Sequence, residues 1–130
     1  MISHWLSASE LPPYYPIPQH NEMSFLGDPP RRLMFGCLVA ARRGGETLLV
    51  NAYHAYETLP GHLKAKIEGR RAINAYDASD GERRGSFQRE GIPRASHPVV
   101  RTHPETGRRS LYVNRLMTAQ IEGMDHDESE

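Results

Sequence analysis

His97-Pro-Val-Val-Arg-Thr-His-Pro-Glu-Thr-Gly-Arg-Arg-Ser-Leu-Tyr-Val-Asn114 holds two short β-compatible runs on either side of a turn. Residues 98–102 and 110–113 read as strands. Pro104, Glu105, Thr106 and Gly107 supply the turn between them, since Pro presets φ and Gly tolerates the reversed backbone. His97, Arg101 and His103 cluster around Pro98 and Pro104. Arg101 and His103 share a face by the two-residue period of a strand. A second metal site is conceivable there, but a strand with one polar face accounts for these residues more simply.

Upstream, residues 77–96 are polar and carry Gly81, Gly85, Gly91 and Pro93. They read as a loop long enough to serve as a lid or binding loop. Residues 72–76 read as another strand. Ala52, Tyr56 and Leu59 fit one helical face, stopped by Pro60 and Gly61. Leu63 and Ile67 suggest a second short helix ending at Gly69. Residues 33–40 are apolar and predict a buried strand with Cys37 as an inert thiol inside it. Arg42, Arg43, Gly44 and Gly45 form a turn signal, and residues 47–50 predict the strand that follows. Residues 19–25, free of Pro and Gly, predict a short extended segment that Gly27, Asp28, Pro29 and Pro30 break. Residues 1–18 form an irregular lead, because Pro12, Pro13, Pro16 and Pro18 exclude a helix.

Downstream, Asp125 followed by Glu128 has the spacing of an acidic N-cap with its capping-box partner. This predicts a helix start close to Glu130. A solvated acidic tail is the competing reading.

The chain of 130 residues suits one domain at most. Its 16 Lys+Arg balance 16 Asp+Glu, which argues against generic nucleic-acid binding and against a polybasic membrane surface. Most of the cations are Arg, so a local site for a carboxylate remains open. The single cysteine cannot form an internal disulfide, and a reducing, cytoplasmic setting is expected. No apolar run approaches the ~20 residues of a membrane helix, and residues 1–18 lack the pattern of a signal peptide.

His20 and Glu22 are the first candidates for chemistry. On a strand, residues i and i+2 face the same side, and an imidazole with a carboxylate there can give two ligands to one divalent metal. That is two-thirds of the 2-His-1-carboxylate triad of non-haem iron oxygenases. A surface His beside a solvated Glu is the plainer alternative. Thr47 is either a turn residue opening a strand or a hydroxyl presented to an anionic ligand. Tyr53, His54 and Tyr56 read as helix packing. The pairs Arg42-Arg43, Arg83-Arg84 and Arg108-Arg109 read as solvated surface. No Gly-rich phosphate loop, nucleophile elbow or CxxC motif is present.

Three stretches together resemble one family. The segment from His97 to Asn114 closely resembles a signature of the taurine dioxygenase (TauD/TfdA) family. So does Gly44-Gly-Glu-Thr-Leu-Leu-Val-Asn-Ala-Tyr-His-Ala-Tyr-Glu57. Ile17-Pro-Gln-His-Asn-Glu-Met-Ser-Phe25 is similar to the family's iron-ligand strand. The three come in the family's order and span residues 17–122 in loose form. The resemblance implies a mainly β fold with short helices, a partial double-stranded β-helix (jelly roll) of the clavaminate-synthase-like type. It implies Fe(II) and 2-oxoglutarate as cofactor and cosubstrate, with O2, decarboxylation to succinate and hydroxylation of a small organic substrate. Carried over, His20 and Glu22 become metal ligands, and Thr47 becomes a hydroxyl at the 2-oxoglutarate carboxylate.

Many relatives have H-x-D where this chain has His20-Asn21-Glu22, and the Glu form resembles the clavaminate-synthase-like branch. A retained carboxylate argues against a halogenase. Sulfonate or aryloxyacetate substrates are therefore not assumed. The family's distal His ligand and its 2-oxoglutarate-anchoring Arg lie beyond the region matching His97 to Asn114, and His126 matches no ligand motif. Residues 1–130 are thus expected to be a single incomplete domain of this type. Alone it would be marginally folded or self-associating (a possible homo-oligomer) and inactive. The alternatives are a truncated relic, an interaction module that completes its sheet with another chain, or a cupin-like metal binder using His20, Glu22 and His97 or His103.

Overall fold

A chain with short apolar runs and many Gly and Pro residues favours short elements, and those among the described residues are all short. The computed structural model describes residues 18–44, 46–76 and 91–129. The elements run α1 (Ala52–Thr58), α2 (Gly61–Ile67), β1 (Arg71–Ala75), β2 (Arg94–Pro98), β3 (Val100–Thr102), β4 (Arg109–Leu111), β5 (Thr118–Ile121) and α3 (His126–Ser129).

Asn51 starts α1. Its side-chain oxygen accepts from the backbone N–H groups of Tyr53 and His54, both at 3.1 Å, satisfying two donors that a helix start leaves free. Leu59 and Pro60 end α1 and begin α2, as the Pro-Gly signal predicts. Gly69 then takes φ 69°, a left-handed conformation that lets the chain turn from α2 into β1.

β1 is the central strand of a three-stranded antiparallel sheet ordered β2-β1-β5. Ala72 faces His97 on one side and Ile121 on the other. The β1–β5 register shifts between Ile73 and Asn74. β3 and β4 pair antiparallel as a hairpin closed by the expected turn, in which Gly107 has φ 69°. Val99 joins the two sheets. Its N–H donates to Arg70 O (3.0 Å) and its carbonyl accepts from Tyr112 N–H (2.8 Å). The core forms beneath it from Ala72, Val99, Ile121 and Met124, with Ile67, Val100 and Val113 packed against them.

α1 packs on β4 through paired cations. Arg108 Nη2 lies 2.9 Å from Glu57 Oε1, with its guanidinium 4.4 Å from the Tyr53 ring centre. Arg109 reaches both carboxylate oxygens of Glu68 and lies 4.9 Å from the Tyr56 ring centre. The glutamate raises the Arg109 pKa above its ordinary value, chiefly by hydrogen bonding, against a smaller opposing effect of burial. The reading of Arg108 and Arg109 as plain solvated surface is therefore corrected. Their stems and guanidinium planes cover two tyrosines. Arg42 and Arg43 are exposed as expected, and Arg83 and Arg84 lie outside the described residues.

Four further expectations are corrected. Residues 33–40 form no strand: Met34, Leu38 and Val39 are about nine-tenths exposed, and Cys37 is exposed rather than buried. Residues 47–50 form no strand either, and Leu48 and Leu49 are 87% exposed. Both segments have the composition of buried strands, but a strand needs a pairing edge, and no described strand lies beside either. Residues 19–25 turn instead of extending. The loop expected to run to Ser96 ends earlier, because Arg94, Ala95 and Ser96 pair with β1; residues 77–90 of it, like the lead through residue 17, lie outside the described residues. The start of α3 matches expectation: Glu128 N–H donates to Asp125 Oδ1 at 2.8 Å. Glu128's carboxylate does not complete the capping box but pairs with Lys66 Nζ at 3.0 Å.

Candidate metal centre

The segment carrying His20 and Glu22 is a tight turn. Ser24 N–H donates to Asn21 O (3.3 Å) and Leu26 N–H to Met23 O (2.9 Å). Met23 sits at φ 50°, a left-handed conformation that costs a non-glycine residue free energy and persists only where surroundings impose it. The expected strand geometry is absent, yet the two side chains meet. His20 Nε2 lies 3.1 Å from Glu22 Oε1.

The ring's other nitrogen, Nδ1, lies 2.9 Å from the Pro18 carbonyl oxygen. Both ring nitrogens thus face oxygen acceptors, but a neutral imidazole carries only one N–H. With Nδ1–H donating to Pro18, the Nε2 lone pair points at a carboxylate. A metal ion between them removes that repulsion. A carbonyl bonded to the far nitrogen is also the usual way in which a metal-binding imidazole is oriented. The spacing fits a metal as well: two donors at about 2.1 Å and at right angles around one ion stand about 3.0 Å apart. The side chains of His20 and Glu22 are 22% and 36% exposed, so an ion can reach them from solvent. Among the described residues no cluster of three or more His, Cys, Asp or Glu forms, so the pair supplies two donors and no third.

Three consecutive residues tie this turn to the first sheet. Ser24, fully buried, points its hydroxyl at Asn74 Oδ1 (3.5 Å) and Met117 Sδ (3.3 Å). Phe25 stacks on Tyr76, with ring centres 5.6 Å apart and planes 16° from parallel. The Leu26 carbonyl lies 2.8 Å from His97 Nε2. Asn74, also fully buried, accepts from Thr118 Oγ1 at 3.0 Å and donates to Ala72 O at 3.3 Å, so β1 and β5 together present its oxygen to the turn. Sequence reasoning missed Ser24, Asn74 and Thr118. The one hint was an Asn amid apolar β1 residues, a polar group that burial obliges to find partners.

The other candidates are placed as follows. Thr47 is exposed. A cleft of about 510 Å³ begins three residues later, lined by Asn21, Val50, Asn51, Ala52, Tyr53, Ser110, Leu111 and Tyr112. It approaches the His20–Glu22 pair through Asn21 alone; neither His20 nor Glu22 lines it. The Asn21 amide nitrogen is buried without a hydrogen-bond partner among the described residues. His97 is 7% exposed and committed to Leu26. His103 Nδ1 accepts from the N–H groups of Glu105 and Thr106, both at 3.3 Å, and so closes the hairpin turn. Arg101 lies over Tyr112 at 4.4 Å. These bonds give both imidazoles structural roles. Tyr112's pKa is raised by burial, which outweighs the opposing effect of Arg101.

Comparison with known proteins agrees with the three sequence stretches. Residues 6–130 match the taurine catabolism dioxygenase TauD, TfdA family. A Schizosaccharomyces pombe protein assigned as an alpha-ketoglutarate-dependent sulfonate dioxygenase is 35% identical over 113 residues, covering 85% of this chain and 29% of its own. The alpha-ketoglutarate-dependent dioxygenase cnsP of Penicillium expansum is 32% identical, over 88% of this chain and 32% of its own. A taurine dioxygenase structure from Burkholderia xenovorans aligns with a TM-score of 0.47 at 33% identity, over 61% of this chain and 24% of that one. The chain spans about a third of the length of the curated relatives it matches. With the match running through nearly every residue, the chain belongs to the taurine catabolism dioxygenase TauD, TfdA family.

Proposed function

We propose that the chain carries part of an Fe(II)- and 2-oxoglutarate-dependent dioxygenase that hydroxylates a small organic substrate, with His20 and Glu22 as two of the iron ligands. The observation that carries this reading is the His20–Glu22 pair, with its second ring nitrogen tied to the Pro18 carbonyl. Bound iron, with 2-oxoglutarate and O2, supplies the oxidising power for the C–H bond. The residues of this chain do the rest: Pro18 fixes the imidazole orientation, and Ser24, Phe25 and Leu26 hold the ligand turn against the sheet. Thr47 is assigned to the 2-oxoglutarate carboxylate by resemblance to the family motif. Two donors hold a metal less firmly than a full facial triad, so the pair alone is expected to bind divalent ions weakly. No helix among the described residues is long and apolar enough to cross a membrane; the lone Cys37 favours a reducing compartment, and we place the protein in the cytoplasm.

The test is a chimera in which residues 1–130 replace the matching region of the S. pombe relative. Succinate release with Fe(II), 2-oxoglutarate and a substrate panel is expected, and His20→Ala is expected to abolish it. A folded chimera whose succinate release survives His20→Ala refutes the ligand assignment.

A second reading has its own support. Leu33, Met34, Phe35, Leu38, Val39, Leu48, Leu49 and Val50 are all exposed, a large apolar surface for one chain. It favours a non-catalytic interaction module that completes its sheet with another chain or with a second copy. Size-exclusion chromatography separates the outcomes: a discrete oligomer supports the module, and a monomer counts against it.

A further inference from the structure

His97 lies 71 residues from Leu26 in sequence, yet its Nε2 is 2.8 Å from that residue's carbonyl oxygen. A carbonyl only accepts, so Nε2 carries the hydrogen and donates. That nitrogen is then unavailable as a metal ligand. The ring is 7% exposed and meets Tyr112 edge to face, with ring centres 5.5 Å apart and planes at 85°. Tyr112 is in turn covered by the Arg101 guanidinium at 4.4 Å. His97 itself sits on β2, paired through its backbone with Ala72 at the centre of the sheet. An imidazole so packed has little freedom to turn, and its N–H has a fixed direction.

The bond it makes is at the far end of the ligand turn, four residues beyond Glu22. Ser24 holds the same turn through β1 and β5, but at 3.5 and 3.3 Å to an amide oxygen and a sulfur, the weaker of the two anchors. Met23's left-handed backbone, between Glu22 and Ser24, makes the turn dependent on outside support. We propose that His97 is a positioning residue for the metal centre: its N–H, aimed by Tyr112 and β2, fixes the Leu26 carbonyl and thereby the direction in which His20 and Glu22 present their donors. This rests on the reading of His20 and Glu22 as metal ligands.

The experiment uses the 130-residue chain and Mn(II), a hard divalent ion whose paramagnetism broadens nearby NMR signals. Broadening is followed at residues 18–26 during titration of the unsubstituted protein, His97→Ala and His97→Gln. Amide hydrogen exchange at Ser24 and Leu26 is compared with that in β1 and β5. The unsubstituted protein is expected to broaden first at His20 and Glu22. His97→Ala is expected to weaken Mn(II) binding by about three- to tenfold, less than the 10–100-fold typical of a group bonded directly to a ligand. Exchange should quicken at Ser24 and Leu26 while β1 and β5 keep their protection. His97→Gln, whose amide N–H can reach the same carbonyl, is expected to restore most of the affinity. If the unsubstituted protein shows no localised broadening, the metal reading itself falls, and the positioning role with it. If it binds and His97→Ala binds equally well, the positioning role alone is overturned. A loss in His97→Ala that spreads to β1 and β5 and that His97→Gln does not rescue marks His97 as a general packing residue and also overturns it.

Discussion

Replacing Asn74 by Ala tests whether the ligand turn and the sheet form one cooperative unit. Asn74 is fully buried, and its Oδ1 accepts from Thr118 Oγ1 at 3.0 Å and from Ser24 Oγ at 3.5 Å. Its Nδ2 donates to Ala72 O at 3.3 Å. The substitution removes one good hydrogen bond and two weak ones. A net contribution of about 1 kcal/mol goes with the good bond, and a buried hydroxyl left without its acceptor costs about 1–3 kcal/mol more. Ser24 keeps its contact with Met117 Sδ and Thr118 keeps its role as acceptor for Asn114 N–H, so neither hydroxyl is wholly stranded. The expected loss is therefore about 2–4 kcal/mol, a large share of the roughly 5–15 kcal/mol that holds a domain folded. Urea unfolding measures it. With a slope of about 2 kcal/mol per molar, the midpoint should fall by about 1–2 M with the slope unchanged. Thr118→Val, alone and with Asn74→Ala, closes a double-mutant cycle in which a coupling of about 0.5 kcal/mol or more is expected. A midpoint shift in Asn74→Ala below about 0.25 M, or additive effects of the two substitutions, would refute the buried network.

Asn51→Ala removes the oxygen that accepts from Tyr53 and His54, and thermal melting should show a loss of about 1 kcal/mol. Gly123→Ala forces a side chain onto φ 75° and brings its Cβ to 2.8 Å from Arg70 Nη1, which is bonded to the Glu122 and Gly123 carbonyls. A loss of about 1–2 kcal/mol is expected in urea unfolding, and an unchanged midpoint would contradict the turn geometry. Tyr112 supplies the pH test. Burial raises its folded pKa above the ordinary value of 10.0, so the folded state holds the phenol proton more tightly than the unfolded chain. That contribution is fully present below pH 10 and is lost as pH rises through the folded value. Unfolding midpoints should therefore fall at alkaline pH, and Tyr112→Phe, which keeps the ring, should flatten that fall.

Local signals and distant ones fared differently. Helices α1 and α2 were legible because a 3.6-residue period and Pro60-Gly61 at their junction act within a few residues, while the Asn51 cap emerged only from the structure. The β3–β4 hairpin was legible from Gly107 and its polar turn, and α3 from Asp125. β5 was not, since Thr118-Ala-Gln-Ile121 has neither length nor a clear alternation. Residues 33–40 and 47–50 misled for the opposite reason. Their composition states a preference for β structure, but only a neighbouring edge can satisfy it, and composition does not reveal whether the edge is there. The His20–Glu22 pairing was visible as H-x-E, though the strand geometry that motivated it proved to be a turn. What brings the two donors together is a left-handed Met23 and contacts reaching residues 50, 71 and 93 positions away, at separations where spacing carries no signal.

Those long-range contacts also explain how a turn is held in place where a strand was expected. A strand orients ligands through its ladder, one hydrogen bond per residue. This turn lacks a ladder, and its orientation must come from side chains. Three of the protein's least exposed polar residues hold it: Ser24, Asn74 and His97. In a small core made of alanines and a few larger apolar residues, burying polar groups costs stability unless each finds a partner. Here each does, and two of the three face the ligand turn directly. If stability alone were at stake, apolar residues at 24, 74 and 97 would pack the same space without that demand. Their polarity is accounted for by what it holds, a turn in which an imidazole and a carboxylate stand 3.1 Å apart.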